Sequence, residues 1–73
     1  GNRPGIIAVP IRTRTETGTL VFSSLVSLTP GSLSLDLSED GETLFVHAMF
    51  VDDPDGIRAD MRKLEDPVLE AVE

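Results

Sequence analysis

Short segments with a strand-like pattern of apolar residues alternate along this chain with longer segments of helical period. The first short segment predicts a strand. Ile6 to Ile11 is a β-branched apolar run that is followed by the polar Arg12. Because Pro10 has no N–H to donate to a ladder, this strand is expected at a sheet edge.

Residues 15–31 carry a helical period instead. Apolar side chains recur at about 100° per residue and place serines on the opposite face, so strand alternation fits less well. The predicted helix runs from about Glu16 to Leu28, with Thr15 as N-cap and Pro30–Gly31 as terminator. Its expected buried face consists of Val21, Phe22, Leu25, Val26 and Leu28.

Period-two alternation returns at Ser32 to Ser38 and predicts a half-buried strand. Asp40–Gly41 is a dipeptide typical of a two-residue type I′ hairpin loop, which would fix the register. The expected apolar pairs are Leu37 with Leu44, Leu35 with Val46, and Leu33 with Ala48. On the other face, Asp36 would meet Phe45, Ser34 would meet His47, and Ser32 would meet Met49.

The strand Thr43 to Val51 is apolar on both sides and is therefore expected in the middle of the sheet. A second helix follows, with Asp53 as its cap and Pro54 at its first position. Its apolar stripe is formed by Ile57, Met61, Leu64 and Val68. Asp66–Pro67 predicts either a kink or a stop, after which Asp66 would cap a short helix from Val68 to Val72.

These elements predict one α+β domain over residues 1–73, a βαββα unit. Its sheet is antiparallel with strand order 1-3-2, and both helices cover one face. The second face is left bare and carries Phe45 and Met49. In a chain this short, a partly apolar exposed face indicates an association surface, and self-association is its simplest use.

Composition narrows the classes of function. A formal net charge of −7 argues against nucleic acid, which needs a clustered cationic face. The absence of cysteine excludes a disulfide framework. Apolar runs are too short for a membrane span and no signal peptide is visible, so a soluble domain is expected.

Candidate chemistry is sparse. Asp52, Asp53 and Asp55 suggest calcium, but an EF-hand loop would need a glycine and a glutamate that are missing at its spacing, so helix capping is the better interpretation. Residues 38–42 fit a solvated turn. The single histidine, His47, excludes a His–His zinc pair, and no nucleophile-elbow motif is present. We therefore expect no catalytic residue, no cofactor, no metal and no enzyme activity.

Two features remain as candidates for partner recognition. His47 is either a proton sensor or a simple strand residue beside Ser34. Arg12 and Arg14, with Arg3 nearby, either form a solvated strand end or contact an anionic membrane surface or an acidic partner. The candidate partner surface comprises Phe45, His47, Met49, Arg12 and Arg14.

An ordered series of motifs carries a family resemblance. The motifs are Arg3-Pro-Gly-Ile-Ile-Ala-Val-Pro10, Leu28-Thr-Pro-Gly31, Leu33-Ser-Leu-Asp36, Thr43-Leu-Phe-Val-His47 and Val51-Asp-Asp-Pro54. Together they resemble the C-terminal hydrophilic domain of the E subunit of multisubunit (Mrp-type) Na+/H+ antiporters. The similarity extends from Arg3 to about Leu64, whereas Asp66–Pro67 departs from the uninterrupted final helix expected for the family.

The resemblance implies that membrane spans precede Gly1 and anchor a longer protein, with this domain on the cytoplasmic face of the plasma membrane. Its partners would be other antiporter subunits, its role would be assembly without catalysis, and the ion pathway would belong to the large membrane subunits. The alternative is an independent homo-oligomeric protein-binding module. Apolar spans upstream of the chain would distinguish the two.

Overall fold

A computed structural model describes residues 3–73, so the expectation about what precedes Gly1 lies outside the described residues. The elements are β1 (Gly5–Pro10), α1 (Glu16–Ser27), β2 (Ser32–Leu37), β3 (Thr43–Ala48) and α2 (Pro54–Val72). This order confirms the predicted βαββα unit of the α+β class.

The sheet is antiparallel with the predicted order β1-β3-β2. β1 lies at an edge, where Pro10 costs no interior hydrogen bond. β3 lies in the middle but ends at Ala48, before the predicted end at Val51. The chain bends at Met49, whose N–H donates to the carbonyl of Gly31 at 2.8 Å. That bond continues the β2–β3 pairing by one residue beyond the two strands.

The β2–β3 hairpin has the predicted register but a different loop. Ser38 N–H donates to the Thr43 carbonyl at 2.9 Å, so the loop comprises residues 39–42. Gly41 has a φ of +74°, whereas Asp40 does not take a positive φ, and the predicted type I′ loop is therefore wrong. Asp40 instead accepts hydrogen bonds from the Ser38 hydroxyl and the Glu42 N–H, which hold the pKa of Asp40 below its usual value. The predicted loop of residues 40–41 and the observed loop of residues 39–42 both pair Leu37 with Leu44, so the predicted register holds.

One register prediction is wrong, at Leu33. The ladder pairs Ser34 with His47 and then Ser32 with Ala48, which leaves Leu33 as the extra residue of a β-bulge. The prediction places Leu33 opposite Ala48 in the core, but its side chain is 60% exposed. For the same reason the predicted pair of Ser32 with Met49 does not form.

The core lies between one sheet face and both helices, as predicted. β1 and β3 supply most of the sheet side, and Phe22 and Val26 of α1 are fully buried. The buried apolar residues are Ile7, Val9, Ile11, Phe22, Val26, Leu44, Val46, Ala48, Met61 and Val68. Leu28, predicted on the buried helix face, follows the last helical residue as the C-cap and is exposed. Leu37, also predicted in the core, is 48% exposed at the end of the edge strand.

Both helix starts follow the predicted caps. The Thr15 side chain accepts the N–H of Gly18, and the Asp53 side chain accepts that of Gly56 at the start of α2. α2 continues through Pro67 to Val72, so the predicted stop is wrong. Met61 and Val68, on either side of this proline, are both buried. Packing of this stripe offsets the hydrogen bond that proline removes.

We predict that Gly41→Ala lowers the free energy of unfolding by about 1 kcal/mol, because an L residue with a Cβ is disfavoured at positive φ. A Cβ at Gly41 would meet no atom within 4 Å, so the loss would be conformational and not steric. Urea denaturation of the two variants Gly41→Ala and Gly41→Asn measures this. Gly41→Asn should lose less, since asparagine tolerates left-handed backbone, and equal losses would contradict the explanation.

Candidate functional site

The sheet surface opposite the helices carries three of the predicted partner residues. We name it the open sheet face and define it by Ile6, Ala8, Asp36, Phe45, His47 and Met49. Ile6 lies opposite His47 and Ala8 lies opposite Phe45. Ile6 is 61% and Met49 is 45% exposed, and Phe45 and His47 are half-buried. The apolar part of this face is therefore open to contact.

His47 makes a polar contact across the open sheet face. Its Nε2 lies 3.0 Å from the Asp36 carboxylate, and the two side chains cross the β2–β3 ladder diagonally. The backbone partner of His47 is Ser34, as predicted, but the side chain reaches past it. The contact is stronger when the imidazole is protonated, because it is then an ion pair.

Arg12 and Arg14 lie away from the open sheet face, on the loop between β1 and α1. The structure therefore does not bring the five predicted partner residues together. Arg14 donates from its guanidinium to the carbonyls of Ile11 and Thr13 within its own loop. Arg12 turns to α2, where it contacts Glu65 and Asp66.

Glu65 is the buried centre of this contact, with a residue exposure of 1%. Its carboxylate accepts the backbone N–H groups of Arg12 and Thr13, at 2.6 and 3.2 Å, and Arg12 Nε at 2.8 Å. The Arg12 guanidinium also donates to Asp66 Oδ1 at 2.7 Å. The hydrogen bonds to Glu65, followed by those to Asp66, raise the pKa of Arg12 above its usual value. Arg12 thus joins the loop after β1 to the helical turn of α2 that precedes Pro67, and this contact stabilises the fold.

A second carboxylate of α2 continues the same pattern. Glu73, the C-cap of α2, accepts the backbone N–H groups of Arg14 and Thr15 and the hydroxyl of Thr15, at 2.9 to 3.0 Å. The Thr15 N–H contributes most to lowering the pKa of Glu73 below its ordinary value of 4.5. Four consecutive backbone N–H groups, from Arg12 to Thr15, are therefore bound by two glutamates.

Sequence reasoning missed both glutamates. Glu65 follows Met61 by one helical turn and precedes Val68 by three residues, so it shares the buried stripe. A charged residue at that position signals a buried partner, but nothing in the local pattern identifies residues 12 and 13 as that partner. Glu73 gives no comparable signal, because it lies on the exposed end of the helix.

Across residues 3–73, no group of three or more His, Cys, Asp or Glu side chains is placed to hold a metal ion. Neither described helix combines the length and the apolar character that crossing a membrane requires.

We predict that Glu65→Ala lowers the free energy of unfolding by about 3 kcal/mol, because it leaves buried N–H groups of the loop without acceptors and Arg12 without its main partner. Urea denaturation measures the loss. Glu70→Ala removes an exposed glutamate of the same helix and should change stability by less than about 0.5 kcal/mol. Equal losses in the two variants would contradict a special role for Glu65.

The lowered pKa of Glu73 predicts an acid-dependent part of stability. Below the ordinary value of 4.5 the unfolded chain binds a proton that the folded carboxylate does not, so folding loses this contribution as pH falls through the lowered pKa. The contribution is complete above pH 4.5. The difference in unfolding free energy between the parent chain and Glu73→Gln should therefore shrink on acidification. A constant difference from about pH 6 to about pH 2.5 would contradict it, and Glu70→Gln controls for charge removal.

Comparison with known proteins places this architecture in a family. Residues 1–71 match the family described as Na+/H+ ion antiporter subunit. The E subunit of the Na(+)/H(+) antiporter of Alkalihalophilus pseudofirmus is 45% identical over 49 residues, which cover 67% of this chain and 31% of the relative. The E subunit of the Na(+)/H(+) antiporter of Bacillus subtilis is 33% identical over 70 residues, which cover 96% of this chain and 44% of the relative.

A solved structure agrees with the sequence comparisons. One chain in the structure of the Mrp complex from Dietzia sp. DQ12-45-1b superposes with a TM-score of 0.73 at 36% identity, covering 97% of this chain and 68% of that chain. This chain spans less than half the length of the two curated relatives. The resemblance seen in the sequence motifs is confirmed: the chain belongs to the Na+/H+ ion antiporter subunit family, as a domain of the Mrp-type E subunit.

Proposed function

We propose that this chain is a non-catalytic accessory domain of the E subunit in a multisubunit Na+/H+ antiporter, held on the cytoplasmic face of the plasma membrane. The observation that carries the proposal is the match of nearly the whole chain to a chain of an Mrp complex. A domain that recurs in a multisubunit assembly with the same fold is expected to contact other subunits. Its activity is then to support their assembly, while ion translocation takes place in the large membrane subunits.

The open sheet face is the surface that we assign to those contacts. Ile6, Phe45 and Met49 present apolar area that no element of the described chain covers. Burial of such side chains at an interface contributes about 1.5 to 3 kcal/mol each. His47 and Asp36 add one polar pair at the edge of this area, which suits a partner of mixed chemistry.

Charge supports the cytoplasmic placement. In a subunit whose membrane spans precede this domain, Arg3 and Arg14 follow those spans along the chain. Cationic side chains that follow a span are typical of the cytoplasmic side. Arg12 contributes less to this tendency, since its guanidinium is paired with Glu65 and Asp66.

The second candidate function uses the same surface differently. If the open sheet face of one copy packs on that of another, the chain is a homo-oligomeric binding module. The exposed Ile6 and Met49 favour self-association as much as they favour another subunit. Analytical ultracentrifugation of the purified domain and co-purification of the complex measure the two alternatives separately.

We predict that Phe45→Ser in the full-length protein lowers the recovery of co-purified antiporter subunits at least about tenfold, the equivalent of ~1.4 kcal/mol of lost contact. Ile6→Ser should act in the same direction and perturbs the core less, since Ile6 is exposed. Leu28→Ser is the matched control, because Leu28 is exposed outside the open sheet face and should leave recovery unchanged. Deleting residues 5–72 should abolish both assembly and antiport. Unchanged assembly and antiport after this deletion would overturn the proposal.

A further inference from the structure

A second surface lies between the first half of α1 and the tip of the β2–β3 hairpin. It is a groove of about 500 Å³, which we name the α1–hairpin groove. Its lining comes from the loop after β1, from α1 and from the hairpin. The residues are Thr13, Arg14, Thr15, Glu16, Thr19, Leu20, Ser23, Leu37, Asp40, Gly41 and Glu42.

The walls of the groove are apolar. Leu20 of α1 and Leu37 of β2 face it and are 68% and 48% exposed. Beneath them, the hydroxyls of Thr13 and Thr19 are bonded to each other at 2.9 Å. Because Thr13 is buried and its hydroxyl bonds that of Thr19, the floor presents little polar surface to a ligand. An apolar side chain is therefore the group that gains most from entering between the two leucines.

The rim of the groove is acidic. Glu16, Asp40 and Glu42 contribute three carboxylates against the single guanidinium of Arg14. Asp40 is occupied by the Ser38 hydroxyl and the Glu42 N–H, so Glu16 and Glu42 are the carboxylates best placed for a partner. The chain as a whole carries a charge of −7, which adds a long-range attraction for cations. The complementary ligand combines one apolar anchor with neighbouring positive charge.

We propose that the α1–hairpin groove binds a short basic segment of another antiporter subunit. An apolar side chain of that segment inserts between Leu20 and Leu37, and a Lys or Arg beside it pairs with the acidic rim. The inference rests on the proposed function, because loops between membrane spans on the cytoplasmic side are rich in Lys and Arg. It adds a second contact, which differs from the open sheet face in its acidic rim.

Photo-cross-linking in the assembled complex tests this proposal. The full-length protein carries p-benzoylphenylalanine in place of Leu20, or in place of Leu28 as a control on an exposed residue outside the groove. After irradiation, mass spectrometry identifies the attached peptide. Position 20 should capture a Lys- or Arg-bearing segment of another subunit, and position 28 should not. Capture of lipid, of a second copy of this chain or of an acidic segment at position 20, or the same adduct from position 28, would overturn it.

Charge reversal tests the acidic rim. Glu16→Lys combined with Glu42→Lys should lower the yield of the position 20 adduct about tenfold, because two attractions at the rim become repulsions. Glu39→Lys combined with Glu70→Lys makes the same change of charge outside the groove and should leave the yield unchanged. An unaltered yield with the first pair would overturn the assignment of a basic ligand.

Cross-linking and co-purification together distinguish a failure of the groove proposal from a failure of the proposed function. If the full-length protein co-purifies with the antiporter but position 20 captures no other subunit, the groove proposal alone fails. If it does not co-purify with any antiporter subunit, the proposed function fails and the groove proposal fails with it.

Discussion

Two carboxylates on one helix organise this domain. Glu65 and Glu73 lie eight residues apart on α2, about two helical turns, and together accept the backbone N–H groups of residues 12–15. The N–H groups of Arg12 and Thr13 are the less exposed pair and need an acceptor, because an unpaired buried N–H is costly. The carboxylates of the two glutamates accept the N–H groups of residues 12–15, and this positions the start of α1 against α2. Together with the hydrophobic core, this arrangement holds both helices on one sheet face and leaves the open sheet face uncovered.

Local signals predict most of the fold. Thr15, Asp53 and Pro54 set helix starts through bonds within a few residues, and the apolar character of β3 on both sides places it in the middle of the sheet. Alternation also predicts the register over most of the hairpin. The prediction fails at Leu33 because a strand with a bulge and a regular strand show a similar pattern of apolar residues. Residues 32–34 also contain no glycine or proline that would indicate a bulge.

The contacts between α2 and the loop before α1 could not be predicted from local sequence patterns. The bonds that the two glutamates accept from the loop join residues 52 to 59 positions apart, and a single sequence does not indicate which carboxylate meets which loop. Arg12 illustrates the difficulty, since its charge suggests a surface role whereas its guanidinium supports α2. The apolar residues of the open sheet face are easier to find, because a three-stranded sheet with helices on one side leaves the other side bare.

The unequal burial of the two glutamates has a dynamic consequence. Glu65 is enclosed, so the amides of Arg12 and Thr13 are expected to exchange with solvent slowly. Glu73 is exposed, so the amides of Arg14 and Thr15 are expected to exchange with solvent faster. Those two residues also line the α1–hairpin groove. Glu73 thus holds two residues of the groove lining through their backbone N–H groups, so the contacts that shape the groove extend to the end of α2.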